Sequence, residues 1–149
     1  MIIPQNIIDE LIAQAEKDAP DETCGYLLGT ITPSTGGGRG EASSTGGGRG
    51  EALVTENYPM ENIDHSPEHF SFAPRDQFAA LKYARSKGLK ILANWHSHPA
   101  SPSRPSQEDL RLANDPAIRY AILSLLDGEP KLNSFKILNG EVVDKEIHL

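Results

Sequence analysis

Residues 95–99 read WHSHP and residues 106–109 read SQED, so two histidines and an aspartate fall within fourteen positions, from His96 through His98 to Asp109. Two imidazoles and one carboxylate make three ligands with a fourth position open, which is the catalytic rather than the structural pattern for zinc. An ion held in this way polarises a carbonyl and lowers the pKa of water from about 15.7 toward about 7, so the matching chemistry is hydrolysis of an amide or ester. Such a site needs a proton carrier. Glu22, in ETCGYLLGT, stands where an otherwise apolar segment begins. A carboxylate entering a buried strand is costly unless it is paired or working, whereas a charge at an exposed strand start is ordinary. The residue types alone leave both readings of Glu22 open.

The elements that must position these groups follow from local pattern. KILANWHSH, Lys90 to His98, is apolar and β-leaning and ends at Pro99, which predicts a buried strand running out into a loop. Side chains alternate along a strand, so His96 and His98 share one face while Ser97 points to the other. The loop PASPSRP then leads to Ser106, where SQEDLRLAND predicts a short helix with Asp109 in its first turn. Ser106 and Asp109 also nearly match a capping box. Capping and ligation are compatible, because a carboxylate in a first helical turn is held rigidly and can face the strand end. A lone histidine would be a surface or satisfied core residue; His-x-His with an aspartate just downstream favours a metal.

Glu22, then H-S-H, then seven residues, then S-x-x-D, resembles the JAMM motif of the MPN-plus metalloproteases, zinc isopeptidases that include deubiquitinases of the proteasome lid and the signalosome. The resemblance implies that His96, His98 and Asp109 are zinc ligands, Glu22 the general base toward the attacking water, and Ser106 the oxyanion stabiliser. ETCGYLLG, ENYPMEN, FSFAPRDQ, the strand before the histidines and RYAILSLL are similar to the short bacterial members, so it covers nearly the whole chain apart from Ile31 to Gly50. It implies a cytidine-deaminase-like MPN domain with the zinc at the sheet's edge of a cleft, and activity on ubiquitin-like or sulfur-carrier proteins.

The wider pattern predicts an α/β fold, a central mixed β-sheet flanked by helices. Ile3, Ile7, Ile8, Leu11, Ile12 and Ala15 recur at helical spacing up to Pro20. Strands are expected at about 22–31 and 53–58, a short one near 70–72, and others at 120–126, 132–138 and 142–147, the last three joined by D-G and N-G turns. A second helix is expected from Pro74 to Lys87. STGGGRGEA occurs at 34–42 and again at 44–52, a tandem repeat too poor in apolar residues to fold as a solenoid, and predicts a flexible surface loop at about 32–50. No G-K-[ST] follows the glycines, which argues against a phosphate cradle.

With 149 residues and 38% hydrophobic content the chain is expected to form one domain, residues 1–149. No stretch approaches a membrane span, and the acidic rather than basic N-terminal segment leads us to expect a cytoplasmic protein. A net charge of −7 with scattered basic residues argues against a nucleic-acid partner. Cys24, the single cysteine, excludes an intrachain disulfide; it shares strand parity with Glu22, though a buried apolar role is its ordinary one. His65 and His69 flank Pro67 and read as exposed loop residues. Glycines let a backbone lie close to a confined metal, and together with this the resemblance to the bacterial JAMM proteins implies a zinc peptidase cleaving after the terminal Gly-Gly of a ubiquitin-like or sulfur-carrier protein. The alternative is a noncatalytic module that binds such partners, which would be signalled by loss of a ligand or of the acid; neither is lost. A nucleobase hydrolase would need a P-C-x-x-C pair that is absent.

Overall fold

A computed structural model describes residues 1–33 and 50–149. The chain runs α1 (Gln5–Asp18), β1 (Cys24–Thr32), β2 (Glu51–Met60), α2 (Pro74–Ser86), β3 (Lys90–His98), α3 (Gln107–Leu112), β4 (Arg119–Ser124), β5 (Lys131–Leu138) and β6 (Glu141–Ile147). Six strands form one mixed sheet in the order β2-β1-β3-β4-β5-β6. Only β3 and β4 pair in parallel, and α3 lies in the crossover that parallel pairing requires; the other pairs are antiparallel.

Helices cover both faces. Ile7, Ile8, Leu11 and Ala15 form the buried stripe of α1, packed on Leu27, Ala93, Trp95, Ala121 and Leu123. On the opposite face Ala80 and Ala84 let α2 lie close to Cys24, Tyr26 and Leu28, while Ala113, just past α3, packs with Ile122, Phe135 and Ile137. Strand alternation thus sends Trp95 and Ser97 toward α1, and His96 and His98 toward α2 and α3.

The expected β3, α2 and β5–β6 hairpin form as read, the last through Asn139 and Gly140 at φ 52° and 78°, the left-handed pair of a tight turn. Four expectations are corrected. No strand forms at 70–72, because the backbone there is bonded to a turn instead of a ladder: the His69 carbonyl accepts from Asn62 Nδ2 at 3.1 Å, the Ser71 N–H donates to Asn62 Oδ1 at 3.3 Å and the Ser71 carbonyl accepts from the Ile63 N–H at 3.1 Å. β1 begins at Cys24, so Glu22 precedes it. β4 ends at Ser124, where a short 3-10 turn at Leu126–Gly128 reverses the chain. The histidines lie on an inner strand, third of six, so the site opens at strand ends rather than along an edge. Of the expected loop at 32–50, residues 34–49 lie outside the described residues and Thr32 instead closes β1; of the two glycine-rich copies only Gly50, Glu51 and Ala52 are described, the last two opening β2.

Gly25 lies opposite Trp95, and a β-carbon there would come within 2.6 Å of the Tyr58 carbonyl oxygen and 2.8 Å of the indole nitrogen. That nitrogen donates to Asn57 Oδ1 at 2.9 Å. Gly25→Ala is therefore expected to cost on the order of 1–3 kcal/mol through overpacking, read as a lowered urea midpoint with an unchanged slope.

Candidate metal centre

β3 delivers His96 and His98 to its carboxyl end, and α3 brings Asp109 over them. What seats α3 is the way the proline-rich loop is pinned. Ser124 Oγ donates to the Ser101 carbonyl at 2.6 Å, Ser103 Oγ donates to the Ile122 carbonyl at 2.7 Å, and Asn133 Nδ2 donates to the Ser103 carbonyl at 3.0 Å. At the helix start Ser106 Oγ accepts from the Asp109 N–H at 3.0 Å and Asp109 Oδ2 accepts from the Ser106 N–H at 2.9 Å, a reciprocal capping box.

The three side chains converge. His96 Nε2 and His98 Nε2 are 3.1 Å apart, and Asp109 Oδ2 lies 3.2 Å from the first and 3.1 Å from the second. Ligands about 2.0–2.1 Å from a tetrahedral ion stand roughly 3.3 Å from one another, so this triangle has nearly the dimensions of one face of such a tetrahedron. Hydrogen bonds alone serve it poorly. His98 Nδ1 donates to the Pro102 carbonyl at 2.8 Å, which in the neutral ring leaves Nε2 as a lone pair aimed at the triangle. His96 Nδ1 is buried without a partner, and its ring is stacked 4.6 Å from Phe70. A cation accepts all three lone pairs at once, and the donor set fits zinc.

Glu22 reaches the same place from the far end of the sequence. Cys24 pairs with His96, and the Ser97 N–H donates to the Thr23 carbonyl at 2.9 Å, so continuing the register stands Glu22 opposite His98 on the ligand face. Its backbone is held on three sides. The Glu22 N–H donates to the Ser66 carbonyl, Asn62 Nδ2 donates to the Glu22 carbonyl at 3.0 Å, and Ser97 Oγ accepts from the Thr23 N–H at 2.8 Å. The carboxyl is only 4% exposed and its Oε1 has no partner. Burial pushes the Glu22 pKa up to about 8, against a smaller opposing pull from His98. Burial also lowers His96, whereas His98 is raised because its bonds to Asp109 and Pro102 outweigh desolvation. Burial pushes Asp109 up too, but both imidazoles, which donate to its Oδ2 when protonated at Nε2, prevail and hold it far below the usual carboxylate range.

All five sequence-predicted residues therefore gather at one strand end: His96, His98 and Asp109 in direct contact, Ser106 capping the helix that carries Asp109, and Glu22 beside His98. Cys24 is the cross-strand neighbour of His96, yet its thiol is buried at 3.6 Å from the Met60 carbonyl and pushed by desolvation to a pKa of about 12, a packing role. His65 and His69 are exposed, as read. Sequence reasoning missed Asn62, Ser97, Phe70 and the Pro102 carbonyl. Asn62 was within reach, as the last residue of ENYPMEN; Ser97 carried no signal beyond its place between two histidines.

The model of the prokaryotic homologs of the JAB domain matches residues 4–138. The chain belongs to this JAB family. A CysO-cysteine peptidase of Mycobacterium tuberculosis is 25% identical over 150 residues, covering all of this chain and 90% of the relative. A probable TtuB-protein conjugate cleaving protease of Thermus thermophilus is 26% identical over 144 residues, 96% of this chain and 80% of the relative. Among solved structures, a protein from Desulfitobacterium hafniense is 39% identical with a TM-score of 0.78, covering 100% of this chain and 92% of its own. Among the described residues of this JAB-family chain no helix is long and apolar enough to cross a membrane.

The raised Glu22 pKa has a consequence for stability without metal. The folded chain keeps a proton that the unfolded chain releases between about pH 4.5 and 8, so this contribution is full below 4.5 and is lost as pH rises through 8. In metal-free protein Glu22→Gln removes that dependence. Its melting temperature relative to the parent should rise steadily across this window, and parallel curves for the two proteins would contradict the buried carboxyl.

Proposed function

We propose that this JAB-family protein is a zinc peptidase that hydrolyses the amide or isopeptide bond after the C-terminal Gly-Gly of a ubiquitin-like or sulfur-carrier protein. It acts in the cytoplasm as one domain. The observation that carries the reading is the near-equilateral triangle of His96, His98 and Asp109 with a buried, unpartnered carboxyl, Glu22, standing opposite His98. The names of the mycobacterial and Thermus relatives, a CysO-cysteine peptidase and a TtuB-conjugate protease, support the substrate class.

His96 Nε2, His98 Nε2 and Asp109 Oδ2 would hold the ion. Bound zinc supplies Lewis acidity toward the scissile carbonyl and makes water acidic enough to attack near neutral pH. Glu22 takes the proton of the attacking water and later delivers it to the leaving amine; its burial raises the carboxylate's affinity for a proton, the direction that accepting one from water requires. Ser106 Oγ accepts from the Asp109 N–H, which leaves its hydroxyl proton available to the developing oxyanion. The His98 Nδ1 bond to Pro102 fixes the tautomer that presents Nε2. Because the bond to be cut must approach a strand end closely, residues without a β-carbon fit best on its carbonyl side.

The test pairs metal content with turnover. Purified protein should carry about one zinc per chain, and His96→Ala or Asp109→Ala should lose most of it. Glu22→Gln should retain the zinc and lose activity by a hundredfold or more on a carrier extended beyond Gly-Gly. Ser106→Ala should lose less activity, together with about 1 kcal/mol of stability from the missing cap. Full turnover in Glu22→Gln, or zinc-loaded protein inert toward every Gly-Gly carrier, would overturn the assignment.

A further inference from the structure

Residues 75–90 hold five of the 14 lysines and arginines against a single acid, Asp76. The segment is net +4 in a chain of net charge −7, which leaves −11 for the rest. Arg75, Lys82, Arg85, Lys87 and Lys90 are all exposed. Among the described residues the arginines that form ion pairs are Arg111 and Arg119, and none of these five cations lies within ion-pair distance of a carboxylate.

The same surface carries apolar groups that folding leaves uncovered. α2 turns Ala80 and Ala84 to the sheet, so Phe78 and Leu81 stand on its outer side, 62% and 43% exposed. Phe78 is the one exposed aromatic residue among those described. Arg75, Phe78, Lys82 and Arg85 follow at spacings of three and four and form one stripe, with Lys82 Nζ 5.4 Å from the centre of the Phe78 ring. Beside this stripe opens a hollow of about 540 Å³, walled by Leu81, Leu89, Ile91 and Ile118 and bordered by Arg85 and Lys90. Asp115 borders it too, but its Oδ1 is engaged by the Ala117 N–H at 2.9 Å. Tyr26, a further wall of the hollow, meets Phe72 edge-on at 5.1 Å, and Phe72 lines a cleft shared with His96 and Asp109. From Ile91 to His96 the strand climbs about 17 Å, the reach of an extended tail of about five residues.

An apolar hollow bordered by unpaired cations fits an apolar side chain set among carboxylates. A nucleic acid would meet the negative charge of the remaining chain, and a bilayer cannot take in a helix whose inner face is packed on the sheet and whose outer face offers two large apolar side chains. A folded protein with an acidic surface meets neither objection. We propose that the outer face of α2 and the hollow beside Leu81 dock the folded body of the carrier, through an apolar side chain ringed by carboxylates, and so hold its tail within reach of the metal centre. The inference rests on the function proposed above, and its test separates the two.

The probe is one ubiquitin-like domain ending in Gly-Gly-Ala, made in two surface forms, with carboxylates around an exposed leucine or with lysines in their place. Each is titrated into zinc-loaded, isotope-labelled protein, and cleavage is followed by mass beside a free tail peptide ending in Gly-Gly-Ala. The acidic form should shift the signals of Leu81, Lys82, Arg85 and Ile118. It should bind roughly tenfold or more tighter than the lysine form, a ratio that shrinks as salt is raised. Its kcat/KM should exceed that of the peptide by a similar factor, and the exposed pair Lys82→Glu and Arg85→Glu should erase most of that preference through KM. Equal binding of the two forms, shifts that bypass α2, or a carrier cleaved no better than its peptide would overturn the proposal. So would tighter binding of duplex DNA or anionic vesicles at these residues, or self-association that the double variant abolishes. The acidic form seated on α2 while every Gly-Gly substrate survives intact supports the docking surface and overturns the substrate reading instead.

Discussion

One oxygen atom joins the two halves of the site. Asp109 Oδ2 accepts the Ser106 N–H that starts α3 and faces both imidazoles at the end of β3, so helix capping and ligand placement are the same interaction. A carboxylate free to turn would adopt many rotamers; one engaged by its own helix start has few. The loop between strand and helix is fastened by Ser101, Ser103 and Pro102 to β4, β5 and His98, so the capped helix cannot drift from the histidines. Ligand geometry thus depends on ordinary backbone hydrogen bonding more than on the ligands themselves.

The site keeps polar groups in a state the rest of the molecule avoids. Among the described residues, buried side-chain donors and acceptors elsewhere find partners, as in the Arg119, Ser134 and His148 contacts between β4, β5 and the C-terminal segment. The exceptions gather around one strand end. Each uncompensated group there opposes folding by an amount comparable to a lost hydrogen bond, and the surrounding Trp95, α1 and α2 packing over both sheet faces makes this tolerable.

The strand Lys90–His98 and the capped helix at Ser106 were legible in the sequence because each rests on a local rule: alternation before a proline, and S-x-x-D before an apolar run. The ligand triangle follows once those two elements are adjacent. Glu22 was legible only as a residue type and through resemblance, since its placement depends on its neighbour Thr23 pairing with Ser97 across 74 positions and on Asn62 and Ser66 from a turn-rich stretch. Long-range register is not written in any short window. Phe70 and Phe72 misled for a related reason: alternating aromatics suggest a strand, whereas the backbone between them is bonded to Asn62 and Ile63, and the rings meet an imidazole and a tyrosine.

The separation in sequence between the ligand cluster and its acid bears on the order in which the molecule assembles. His96, His98 and Asp109 close a loop of about a dozen residues, with little chain entropy to overcome, whereas Glu22 arrives only when the N-terminal strand docks across a much longer span. A partly open form in which β1 has peeled from β3 still contains every ligand but no base. Such a form would keep the three proposed ligands together and lack the proposed base, so ligand assembly and base placement depend on separate contacts.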